Sequence, residues 1–278
     1  MIDAHVYSVP LDLHAETPLV RDEGAVLAAL HRHPEGPDAL ALSLPEAIAE
    51  SMDRAGIDRS VLVSLPWTSL DLCRRNNDHV LAAAAGSDRF LAVCSVQALD
   101  SGWRTEVDRA REAGAVGIKI NTGWQGGALD SSTTHDLARY VAESGLFLMT
   151  HVDHAFRASD TGPSGLYGLA SACPGTRIVA AHLGGLLGLY THHPPVAEAL
   201  ANVWFDTAVS STLEMVRYYA QAGLGDRLLF GSDFPFNHSH SQAQVMAGLK
   251  ALDLPQTALD GIMENNFLGL VERQRGRS

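Results

Sequence analysis

One cycle governs the chain from residue 43 onward: an amphipathic stretch, a glycine, then a short apolar run rich in β-branched residues. Repeated βα alternation of this kind specifies a parallel sheet with helices packed on it. The cycle reads Leu70–Ala85 into Phe90–Val96, Trp103–Ala113 into Val116–Ile120, and Thr134–Ser144 into Leu146–His151, with Gly86, Gly114 and Gly145 as stops. A less regular helix before Cys173 leads to Arg177–His182, Pro195–Ala201 leads to Val203–Asp206, and Thr212–Ala222 leads to Arg227–Phe230. Met1–Val6 and Ser60–Ser64 bring the count to eight strands, and helices around Gln242–Leu252 and Thr257–Val271 finish the chain. Ser43-Leu44-Pro45-Glu46 reads as a capping box ahead of a helix that Gly56 stops.

Eight parallel strands in 278 residues match a closed (β/α)8 TIM barrel, an α/β fold of typically ~250 residues, better than an open doubly wound sheet. No GxGxxG follows the first strand, which argues against a dinucleotide site. Without a linker, a low-complexity tract or a solenoid-length repeat, residues 1–278 read as one domain. The strand-to-helix segments Tyr7–Leu42, Asn121–Thr133, Val152–Ser164 and Leu183–Pro195 are long, and in a barrel they all overlie the C-terminal, catalytic face.

Charge narrows the partners. Twenty basic residues against 32 acidic ones give a net charge of −12, and the basic ones are scattered, so nucleic acid and anionic membrane surfaces are excluded as targets. The N-terminus has neither the basic nor the apolar region of a secretory signal, and the apolar run from Val179 to Leu189 is broken by His182. A soluble, cytoplasmic protein is expected, acting on a small molecule, with outer helices apolar enough to permit a homo-oligomer. Cys73, Cys94 and Cys173 stand far apart with no CxxC, so any metal must use histidine and carboxylate.

Thirteen histidines are present. Most have structural readings: His31 and His33 lie in a polar loop, His79 and His135 on helical segments, His192 and His193 beside prolines. His5, His151 and His182 fall instead at the ends of strands one, five and six, with Asp233 just after strand eight. A barrel gathers its C-terminal strand ends at one mouth, where two or three imidazoles and a carboxylate suit zinc or a similar divalent ion with a position open to water. His182 reads either as a ligand or as an acid/base beside the ion.

These residues resemble the amidohydrolase superfamily, in its amidohydrolase-2 (amidohydrolase-related) branch of metal-dependent TIM-barrel hydrolases and decarboxylases. The resemblance runs through Ile2-Asp3-Ala4-His5, Gly117-Ile118-Lys119-Ile120, Thr150-His151, Ala181-His182-Leu183-Gly184-Gly185, Gly231-Ser232-Asp233-Phe234-Pro235 and Asn265-Asn266. It implies that His5, His151 and Asp233 bind a divalent metal, with zinc the expected ion, that Asp233 also shuttles a proton, and that His182 polarises substrate or serves as acid/base. The branch usually opens Asp-x-His-x-His, but Tyr7 takes the place of the second histidine. Alternation along a strand turns Tyr7 to the same side as His5. It then binds as a phenolate, leaves the ion fewer ligands, or marks a site that works without metal.

The resemblance implies a metal-dependent hydrolase that attacks a carboxylated or aromatic amide or lactone with metal-activated water. Two alternatives stand beside it: a non-oxidative decarboxylase on the same site, and a metal-free lactonase-like, cyclase-like or non-catalytic binding barrel. Tyr7, Lys119, His154 and Trp124 are the expected substrate contacts, with Trp67 and His238 on neighbouring mouth loops. Lys119 would bind a carboxylate, become a carbamylated ligand, or simply pack its stem on the barrel with its ammonium at the rim.

Overall fold

The computed structural model describes residues 1–13, 23, 38–154, 161–208, 213–236 and 241–275. Eight strands lie in sequence order in one sheet: β1 Ile2–Tyr7, β2 Arg59–Val63, β3 Phe90–Ser95, β4 Gly117–Ile120, β5 Phe147–Thr150, β6 Ile178–Ala180, β7 Val203–Asp206 and β8 Leu228–Leu229. Each neighbouring pair from β1 to β8 is parallel. Closure comes from the segment after β8. The Ala4 amide donates to the Phe230 carbonyl at 2.8 Å, the Asp233 amide to His5 at 2.9 Å, and the Tyr7 amide to Phe234 at 2.8 Å. The fold is the (β/α)8 barrel that the alternation predicts.

Strands covered on both faces read as unbroken apolar runs, which is how Phe-Leu-Met-Thr in β5 and Val-Trp-Phe-Asp in β7 come to be wholly buried. Helices Pro45–Ala55, Leu70–Gly86, Trp103–Glu112, Ser132–Glu143, Pro163–Ala172, Pro194–Ala199 and Glu214–Tyr219 fill the connections. Gly56 ends the first of these at φ 69°, as expected of a glycine stop. Among the described residues no helix is long and apolar enough to cross a membrane.

Two local expectations need correction. Ser43 does not cap a helix: its Oγ donates to the Leu40 carbonyl at 2.7 Å, because Pro45 opens the helix and makes Leu44 the N-cap. A true capping box forms at Ser241 and Gln244. The single helix expected over Thr257–Val271 is broken into Gln256–Asp260, a wide π-type turn Gly261–Asn265, and Asn266–Arg275. There Asn266 Nδ2 donates to the carbonyls of Gly225 and Leu228, fixing the helix to the start of β8.

Candidate active site

Parallel strands bring their C-terminal ends to one rim, and the candidate residues sit there in order. His5 lies in β1 and Lys119 in β4, Asp206 ends β7, and His151, His182 and Asp233 follow β5, β6 and β8. His182 and Asp233 adopt left-handed backbone, φ 58° and 59°, which a non-glycine residue holds at a cost of about 1–3 kcal/mol. Gly185 is required in the turn after His182. At φ 61°, a Cβ there would stand 2.2 Å from the Asp153 carbonyl oxygen.

Each imidazole has one nitrogen fixed by an oxygen acceptor. His5 Nδ1 donates to Asp206 Oδ2 at 2.8 Å, His182 Nδ1 to the Ala208 carbonyl at 2.8 Å, and His151 Nε2 to Asp153 Oδ1 at 3.3 Å. These acceptors set the tautomers, since neither a carboxylate nor a carbonyl oxygen can donate. All three rings are held neutral. Burial depresses every one, assisted at His5 by the Lys119 charge and at His182 by His151. The opposite nitrogens of His5 and His182, Nε2 in each, therefore carry lone pairs.

His151 Nδ1 and His182 Nε2 stand 2.9 Å apart, within hydrogen-bond distance. His5 Nε2 is buried without a hydrogen-bond partner, as is Asp233 Oδ1, and the two stand 3.6 Å apart. Among the described residues no three metal-type side chains are already closed into a cage. Donor chemistry nevertheless fits a divalent ion: three nitrogens and one carboxylate oxygen, with the far side of each ring braced by an oxygen, as metal-ligating histidines usually are.

Asp206 is the main brace. Its Oδ1 accepts from the amides of His182 at 2.8 Å and Ala208 at 3.2 Å while Oδ2 holds His5. Burial alone would raise this carboxyl, but His5, His182 and Lys119 together hold it at about 2. Asp3, buried behind His5, accepts from the Ser232 amide at 3.0 Å and from Gln242 Nε2 at 2.8 Å, tying β1 to the turn that presents Asp233. Burial raises Asp3 to about 6. Asp233 is itself pushed well above the ordinary carboxylate range by burial, with Lys119 opposing. Exposures of 26% at His151 and 18% at Asp233 leave the cluster open toward the mouth.

Lys119 and Tyr7 complete the floor. Lys119 is fully buried, its Nζ has no hydrogen-bond partner among the described residues, and burial pulls it down to about 8. The ammonium lies 5.8 Å over the Tyr7 ring, which meets His5 edge-on at 5.0 Å and Phe236 at 5.6 Å. Burial raises Tyr7 well above its usual value, so it stands as a neutral phenol.

The structure thus gathers His5, His151, His182, Asp233, Lys119 and Tyr7. Trp124 is half-buried and packs against the apolar core in the short helix after β4. Trp67 is no pocket wall: it is fully buried and donates through Nε1 to Asn76 Oδ1 at 3.1 Å. His154 is half-buried, and His238, His31 and His33 lie outside the described residues. Sequence reasoning missed Asp206 and Asp153. Asp206 carried a readable signal, as the last residue of a predicted strand.

A closed βα barrel whose mouth presents imidazoles and a carboxylate defines a class of metal-site enzymes. The chain belongs to the amidohydrolase family, whose sequence model matches residues 2–266. No curated protein matches it in sequence. Solved structures share the fold. A 5-carboxyvanillate decarboxylase from Sphingomonas paucimobilis is 15% identical with a TM-score of 0.79 over 98% of both chains. The corresponding decarboxylase of Novosphingobium aromaticivorans, solved with manganese, is 19% identical with a TM-score of 0.77 over 98% of this chain and 95% of that one. A probable 2-pyrone-4,6-dicarboxylic acid hydrolase from Acinetobacter baumannii is 18% identical with a TM-score of 0.67 over 98% of both.

Proposed function

We propose that this chain is a metal-dependent decarboxylase of a small organic acid. His5 Nε2, His151 Nδ1 and Asp233 would hold the ion, with His182 Nε2 at its edge. When bound, the ion supplies an electrophile that draws charge from a substrate oxygen. Zinc suits the nitrogen-rich donor set, and manganese is the ion in the Novosphingobium relative.

The chain's own work is proton transfer. Asp233, 3.6 Å from His5 Nε2 and partly open to the mouth, is the carboxyl placed to pass a proton to the substrate. As CO2 leaves, the electron pair of the broken C–C bond stays on the substrate carbon and takes the Asp233 proton. His182 Nε2, an acceptor by its tautomer, can accept a proton from a substrate hydroxyl. The unpartnered His5 Nε2 and Asp233 Oδ1, 3.6 Å apart at the mouth that also holds the His151–His182 pair, carry the reading. Decarboxylases among the relatives of like fold support it.

Hydrolysis of a lactone or amide is the second reading, favoured by the pyrone hydrolase relative. One assay separates them: purified protein with Zn2+ or Mn2+, a panel of small hydroxylated acids and lactones, and 13CO2 detection. CO2 release with a proton at the vacated carbon is expected. Acid release without CO2 selects hydrolysis, and no turnover of either class refutes both.

A further inference from the structure

The chain has two lysines and eighteen arginines. One of the two lysines is wholly buried at the barrel mouth, while the other, Lys250, is exposed on an outer helix. A lysine serving only as packing lays its stem on apolar surface and puts its ammonium in water. Lys119 does the reverse. Its three N–H donors are desolvated with no acceptor among the described residues, an arrangement that costs stability unless a ligand completes it.

The neighbouring anions do not complete it. Asp206 is already engaged by His5 Nδ1 and by the amides of His182 and Ala208. Asp233 Oδ1 points toward His5 Nε2 and makes no hydrogen bond with Lys119. The Tyr7 ring at 5.8 Å gives the ammonium an aromatic face, which steadies the charge without using any donor. A compact cation with free donors, set on an aromatic wall beside the ligand cluster, is built to receive an anionic oxygen.

We propose that Lys119 Nζ is the receptor for the substrate carboxylate, so that the site recognises its acid by a direct charge-assisted hydrogen bond from the chain and not through the ion. The inference rests on the reading of this cluster as the active site, but not on which bond is cleaved there. It makes Lys119 the residue that selects acids over their neutral counterparts.

The two lysines make a direct test possible. Protein labelled with 15N-lysine gives two side-chain resonances, and Lys250 is the internal control. Titration with benzoate, with and without Zn2+, is expected to shift the Lys119 resonance alone and equally in both series, while benzamide shifts neither. Calorimetry should show benzoate affinity at least about tenfold lower in Lys119→Met, as expected for a lost charge-assisted bond. A Lys119 resonance indifferent to benzoate, an equal response to benzamide, or a response seen only with Zn2+ overturns the proposal. Each of these results stands whether or not CO2 release is observed.

Discussion

Replacing Lys119 with methionine should make the protein more stable. The side chain is fully buried without a hydrogen-bond partner among the described residues, and its folded-state value falls from 10.5 to about 8. At 1.36 kcal/mol per pH unit, the charged form is about 3 kcal/mol worse off inside the barrel than in water. Methionine matches the length of the stem without the charge. For a chain of this size the gain corresponds to a rise in Tm of about 5–10 °C. The pH dependence is a second check. Between pH 8 and 10.5 the unfolded chain keeps the lysine proton while the folded chain has lost it, so wild-type stability climbs with pH relative to the variant. The variant's advantage is therefore complete below pH 8, less than half as large at pH 9.5, and gone above 10.5. Urea unfolding at pH 7 and pH 9.5 measures both. A variant no more stable than wild type at pH 7, or an advantage that does not shrink at pH 9.5, would refute the claim that Lys119 is an uncompensated buried charge.

Other substitutions test the supports of the site. Asp206→Asn should present an N–H to His5 Nδ1 and turn a proton inward at Nε2, lowering metal affinity about 10–100-fold; unchanged affinity in a metal titration would remove Asp206 from its bracing role. Gly185→Ala should destabilise the fold by about 1–3 kcal/mol, because its Cβ would meet the Asp153 carbonyl at 2.2 Å; urea midpoints equal to wild type would contradict this. Tyr7→His should raise metal content after dialysis, read by elemental analysis, whereas an unchanged content places position 7 outside the ligand set.

The barrel was legible because strand periodicity and glycine stops are local signals, and the eight strands fell within a residue or two of their predicted places wherever β-branched runs were unbroken. His5, His151, His182 and Asp233 were legible for a related reason: parallel strands convert a position at a strand end into a position at the mouth. Asp153 was not, since its role rests on a loop that turns its carboxylate back onto His151 Nε2 two residues earlier. Asp206 ends a correctly predicted strand and was passed over because only the fold shows that its two oxygens face His5 and the His182 amide. Ser43 misled for a backbone reason, as Pro45 moved the helix start one residue along. Only burial, which sequence pattern does not report, sets aside the reading of Lys119 with its ammonium at the rim.

The most direct test of the central claim is anomalous diffraction at the metal edge from crystals grown with Zn2+. One peak is predicted, about 2.0–2.2 Å from His5 Nε2, His151 Nδ1 and an Asp233 oxygen. A peak elsewhere on the molecule, or a mouth that stays empty with His151 and His182 still in contact, would contradict it.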